Sequence, residues 1–167
     1  MTPNDILLDA FERVRDQLHP AVNGLSKEEL TYRPSGANSI AWLVWHLTRI
    51  QDDHIAGIDG KEQVWTANGW VQRFALPFSP ADTGYGHGPA DVAAVVADAD
   101  SLLDYFEDVH VKTLEFVRGL TDDDLSRVVD DSWDPPVTMS MRLVSILSDD
   151  LQHVGQAAYV RGVLPQN

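Results

Sequence analysis

The chain has 167 residues, with 26 acidic against 12 basic side chains and a net charge of -14. That length suffices for one domain, residues 1–167, with a sizeable core, and the charge excludes the lysine and arginine footprint that nucleic acid or an anionic membrane surface requires. There is no cysteine, which excludes disulfides, thiolate metal sites and a cysteine nucleophile; any thiol chemistry must use a thiol from outside.

The N-terminus, MTPNDILLDAF, opens a helix: Thr2 as N-cap, Pro3 at the first helical position and Asp5 at the third. It also lacks the charged and apolar regions of a signal peptide, and no apolar run reaches the ~18 residues of a membrane span, so the expected setting is cytoplasmic. Leu7, Ala10, Phe11, Val14 and Leu18 recur at helical spacing until Pro20 disturbs the pattern. In GLSKEEL, Ser26 and Glu29 have capping-box spacing. Residues Tyr32–Asn38 read as a loop.

Asn38 or Ser39 can cap a second helix running to about Gly57, with Ile40, Leu43, Leu47 and Ile50 as its apolar surface and Trp42 and Trp45 adding bulk. His46 lies on the same side and points toward the core, with Asp53 two turns along near that face. Alone, such a histidine reads as a core residue bonded to a backbone carbonyl.

From Ile58 to Gly88 periodicity vanishes, yet the segment carries Trp65, Trp70, Phe74, Phe78 and Tyr85. Loops this long are functional or disordered, and so much apolar surface argues against disorder. The expectation is an ordered crossover that covers a pocket, with Trp70 helping to hold substrate. A connection of that length also lets the second and third helices run parallel.

GPAD starts a third helix at Gly88, whose stripe from Val92 through Phe106 to Leu120 is continuous over about seven turns. His110 flanks that stripe and is expected to be structural or exposed. GLTDDDL then repeats the capping pattern with Thr121 and Asp124, Asp130–Pro136 forms the last loop, and Thr138 caps the final helix. Four long helices, one crossover and no convincing strand make an all-α four-helix bundle, in which sites are built from side chains on facing helices.

The final helix carries the chemistry. Within SILSDDLQHVGQAAYVRG (Ser145–Gly162), Asp149 and His153 stand four residues apart, about 40° around the helix. Ile146, Ala157 and Val160 share that face, which marks it as buried. Bare burial of a carboxylate and an imidazole costs several kcal/mol, so they need a partner. A metal ion is one, with His46 as third ligand; a hydrogen-bonded Asp–His–His cluster without metal is the other. Asp150 competes with Asp149, since its i,i+3 spacing to His153 also permits joint ligation. Asp149 is preferred because its line, Ile146–Asp149–His153–Val160, is apolar on both sides.

SIAWLVWHLTRIQDDH followed about a hundred residues later by DDLQHVGQAAYVRG resembles the DinB-like metalloenzyme superfamily, whose members carry a histidine on the second helix and an H-x-x-x-H or acidic-x-x-x-H pair on the fourth, often followed by G-Q. The resemblance spans nearly the whole chain, including the NGW (Asn68–Trp70) and GYGH (Gly84–His87) loop segments. It implies a metal site of His46, Asp149 and His153. The aspartate departs from the three-histidine form and is similar to the site of the mycothiol-dependent maleylpyruvate isomerase; the nearest likeness is to mycothiol S-transferases.

Two imidazoles and one carboxylate are a common catalytic zinc set with an open fourth position, although other divalent metals also suit these ligands. The resemblance therefore implies a zinc-dependent transferase that conjugates mycothiol, a low-molecular-weight thiol, to electrophilic small molecules in detoxification. Gln156, Tyr159 and Arg161 follow the ligands along the helix as candidate thiol-binding residues, although an arginine at a helix end also serves as a dipole partner. The alternatives are a thiol-dependent isomerase, or a non-catalytic bundle that holds a metal or ligand or forms a homodimer through an apolar helix face.

Overall fold

The computed structural model describes residues 2–165. Four long helices carry it: α1 (Pro3–Val22), α3 (Ile40–Asp59), α7 (Ala99–Gly119) and α9 (Met139–Gly162). The capping signals act as the sequence implies. Thr2, Ser26 and Thr121 form reciprocal boxes with Asp5, Glu29 and Asp124, while Ser39 and Thr138 cap α3 and α9. Two of these boxes start short turns, α2 (Lys27–Thr31) and α8 (Asp122–Ser126), that lead into and out of the bundle.

Three expectations are corrected. First, α1 continues through Pro20 to Val22. Proline forfeits one backbone bond, but Leu18, Ala21 and Val22 are buried and hold the last turn in place. Second, the helix expected from Gly88 to Leu120 is broken into α6 (Pro89–Ala94) and α7. Val95 turns extended, and the Asp98 carboxylate accepts the Ser101 N–H at 2.7 Å as a fresh cap. Third, the last loop folds as a two-stranded antiparallel ribbon, β1 (Val128–Asp130) with β2 (Val137–Thr138). The molecule is otherwise all-α.

Packing runs round a square: α9 lies against α1 and α3, and α7 against α1 and α3. Arg15 and His19 reach Glu107 while Asn4 reaches the Leu120 carbonyl, so α1 and α7 are antiparallel. Arg49 and Gln51 of α3 meet Tyr105 and Thr113 of α7 in the same sequence direction, so those helices are parallel. His110 is buried on α7 and bonded to Glu12, a structural role. Phe11, Leu18, Leu43, Leu47, Phe106 and Leu143 fill the centre, each burial stabilising by roughly 1.5–3 kcal/mol.

The crossover is ordered and contains α4 (Val64–Ala67) and α5 (Trp70–Phe74). Its anchor is Asp52, which accepts N–H groups from Val64 (2.9 Å) and Trp65 (2.8 Å) and the Tyr105 hydroxyl (2.9 Å). Burial pushes the Asp52 carboxyl up, and these bonds with Arg49 nearby oppose that. The buried carboxylate of α3 is thus Asp52, whereas Asp53 is half-buried and accepts from Gln63 at 2.7 Å. Trp70 packs on Tyr105 and Phe74 and donates to Asp108, which places it against α7 as a strut for the crossover.

Candidate metal centre

His46 sits mid-way along α3 in a run of buried residues and is 6 % exposed. The Trp42 ring, one turn earlier, stacks on it with centroids 4.6 Å apart. Its Nδ1–H donates to the Thr83 carbonyl at 2.6 Å. A carbonyl only accepts, so the neutral ring carries its proton on Nδ1 and leaves the Nε2 lone pair for a cation. Burial, foremost, lowers the His46 pKa; the bond to Thr83 opposes this and neighbouring His153 reinforces it. His46 is therefore neutral near pH 7, the state that ligates.

His153 lies opposite on α9, its ring centroid 4.9 Å from that of His46. Its Nδ1 is bonded to Oε1 of Gln156 at 3.0 Å, and its Nε2 stands 3.5 Å from Oδ1 of Asp149. Burial pulls its pKa down, but the bonds to Asp149 and Gln156 outweigh that and the net shift is upward. A proton on His153 is thus favoured beside this carboxylate, and a metal ion would have to displace it. His46, Asp149 and His153 each present one donor atom, all within 4.8 Å of one another. The other carboxylate oxygen, Oδ2 of Asp149, is buried without a hydrogen-bond partner. Two imidazoles held by outer hydrogen bonds, beside a carboxylate with an unused oxygen, fit a divalent metal and its usual second shell.

The two aspartates exchange the settings expected of them. Asp150, not Asp149, lies on the core line with Leu143, Ile146, Val154 and Ala157, and it is 0 % exposed. Both of its oxygens lack partners, and burial, with Asp149 beside it, drives its carboxyl well above the usual range. Asp149 stands at the edge of that stripe, half-buried, which is why it reaches the two histidines.

The second half of the crossover closes the centre. Gly84 packs so tightly that an added Cβ would lie 2.7 Å from Nδ1 of His46 and 3.0 Å from the Trp45 ring, and its φ of +93° favours glycine. His87 accepts the Trp42 indole N–H at 3.2 Å and stacks on Trp45. Thr83, Gly84 and His87 escaped the sequence reading as site residues, because a backbone carbonyl and a missing side chain leave no periodic signal; the glycine-rich GYGH segment is their only trace.

Beside the triad runs a groove of about 600 Å³, lined by Pro34, Asn38, Leu43, Gln152, Gln156 and Tyr159 among others. Gln156 joins groove and triad through its bond to His153. Arg161 is not among the lining residues; its guanidinium donates to the Asn23 carbonyl at 2.8 Å and ties α9 to the end of α1.

A model of the DinB superfamily matches residues 10–157. The chain belongs to the DinB superfamily. This superfamily includes metalloenzymes, and the candidate His–Asp–His centre lies on two of its four long helices. The fold is similar to the crystal structure of a conserved protein from Enterococcus faecalis, at 29% identity over 96% of each chain and a TM-score of 0.90. No curated protein matches the chain. Among the described residues, no helix of this DinB-superfamily chain is long and apolar enough to cross a membrane.

Proposed function

We propose that this DinB-superfamily protein is a metal-dependent thiol S-transferase that uses mycothiol, with zinc held by His46, Asp149 and His153. The observation that carries the proposal is the triad itself: two imidazoles, each held by an outer hydrogen bond, and one carboxylate, joined through Gln156 to a neighbouring groove, in a chain with no cysteine. When bound, the ion supplies a Lewis acid that lowers the pKa of a thiol reaching it. The protein's part is positional. The Thr83 carbonyl and Gln156 orient the two imidazoles, Trp42 braces His46, and Gly84 lets the crossover pack directly on His46.

The groove supports a sugar-bearing thiol. None of its lining side chains is charged, and Asn38, Gln152, Gln156 and Tyr159 offer amide and phenol groups that suit hydroxyls. A thiol bearing several carboxylates would find no cation there. In the reaction a carbon–sulfur bond forms, the leaving group departs with its electron pair, and the thiol proton goes to solvent. The test is conjugation of mycothiol to monobromobimane by zinc-loaded protein, with and without chelator. Acceleration that chelator abolishes and zinc restores supports the transferase. No acceleration by the loaded protein refutes it, in favour of a non-catalytic metal-binding bundle, while turnover of a cis-enone without net thiol consumption favours the isomerase.

A further inference from the structure

The seam between α3 and α9 has a second end. On α9, Arg142 precedes Asp149 by seven residues, and on α3, His54 follows His46 by eight. The seven-residue interval returns Arg142 to within about 20° of Asp149, while the eight-residue interval leaves His54 about 80° round α3 from His46. His46 meets His153 while His54 meets Arg142, so α3 and α9 are antiparallel, and the Arg142–His54 pair lies about 10–12 Å from the triad along the helices. The uncharged groove lies on the other side, where Leu43 of α3 faces Gln156 and Tyr159 of α9.

A cavity of about 440 Å³ opens there, lined by Asp53, His54, Gln63, Val129, Asp130 and Arg142 among others. The Arg142 guanidinium donates through Nη2 to Asp130 at 2.8 Å and through Nη1 to Nδ1 of His54 at 3.4 Å. Its remaining N–H groups make no other bond among the described residues, and none of its nitrogens is sealed from solvent without a partner. The acidic groups in the cavity, Asp53 and Asp130, keep their charge but have donors of their own. Asp53 accepts from Gln63, and the second oxygen of Asp130 accepts the N–H and hydroxyl of Ser132. Lys61 at the rim is paired with Asp59. In a chain of net charge -14, a partly used guanidinium fork in a cavity is a specific local attraction for a carboxylate.

We infer that this cavity is an anion subsite, in which Arg142 and His54 hold the carboxylate of a carboxylate-bearing electrophile with its reactive carbon toward the triad. The substrate assignment rests on the thiol-transfer reading, while carboxylate binding by the cavity does not. The seam then receives its two reactants from opposite ends, a neutral thiol from one and an acid from the other.

Two electrophiles of one skeleton test it: 4-(bromomethyl)benzoate and its methyl ester, each with mycothiol and zinc-loaded protein. Arg142→Gln should lower the carboxylate-to-ester ratio of kcat/KM by roughly 10- to 100-fold, the range for a lost charge-assisted bond. If Arg142 only clamps the ribbon to α9, both rates fall together and the ratio is unchanged, which overturns the inference. Should Arg142→Gln fail to fold, Arg142→Met decides, because it removes the charge while keeping an unbranched side chain of similar reach; an unchanged ratio again overturns it. Binding of unreactive 4-methylbenzoate to chelator-treated protein, followed by ligand-observed NMR, needs no turnover. It should be present in the wild type and lost in Arg142→Gln. Absence of binding in the wild type rejects the subsite, whereas absence of thiol transfer with both electrophiles rejects only the proposed activity.

Discussion

Gly84→Ala is the most informative single substitution. The new methyl would sit 2.7 Å from Nδ1 of His46, 3.0 Å from Trp45 and 3.3 Å from Trp42, on a residue with φ of +93°. A side chain in that backbone region is strained by about 1–3 kcal/mol, and in a chain of this size each kcal/mol lowers Tm by about 2–4 °C. The contact also pushes His46 off the Thr83 carbonyl, the bond that fixes its tautomer. Loss of such an outer bond typically weakens metal binding about 10- to 100-fold. Gly86→Ala is the control, since its φ of +79° is also positive but nothing lies within 4 Å of the added methyl. The assay is zinc titration against a competing chelator, beside thermal melts of the metal-free proteins. Both variants should melt lower, and only Gly84→Ala should lose zinc affinity. Equal zinc affinities for the two would refute the claim that the crossover holds His46.

Zinc content should fall to background in His46→Ala, Asp149→Ala and His153→Ala but survive in Asp150→Ala, measured by elemental analysis; the reverse pattern for the two aspartates would remove Asp149 from the site. Trp70→Ala should cost about 3–5 kcal/mol in stability with zinc affinity unchanged, since its indole packs on α7; a zinc defect without a stability defect would contradict that placement. His153 has a raised pKa and His46 a lowered one, so acid protonates His153 first. The logarithm of the zinc Kd should rise about one unit per pH unit below the His153 pKa, and a slope of two from the outset would show both histidines titrating together. In chelator, burial lowers the pKa values of His46, His54 and His110. Their stabilising effect is complete above about pH 6.5 and is lost as pH falls, by up to about 1.4 kcal/mol per pH unit for each proton taken up. His153 and the raised carboxyls of Asp52 and Asp150 act in the opposite sense, so the check is a difference. The acid-induced change in Tm should be less destabilising in His110→Gln than in the wild type, and an identical pH dependence would reverse the argument.

Helix starts were legible in the sequence because capping is local: Thr2, Ser26, Thr121 and Thr138 each meet their partners within three residues. The four amphipathic stripes were legible for the same reason, since 3.6-residue periodicity depends only on the chain itself. The break at Val95–Asp98 was not. There the apolar stripe continues without interruption, and the competing Asp98 cap wins only once Val95 and Ala97 are buried against the bundle.

The candidate site divides in the same way. The i,i+4 spacing of Asp149 and His153 stands in the sequence, and so does the likeness that joins them to His46. Which of two adjacent aspartates turns to the histidines depends on the roll of α9 against α1 and α3, because 100° of rotation separates neighbours on a helix. Only packing sets that roll, and it sends Asp150 into the core and Asp149 to the edge. The remaining parts are the Thr83 carbonyl, the close approach of Gly84, and the meeting of Arg142 with His54. Each is a contact between residues more than thirty positions apart, and no local pattern encodes it.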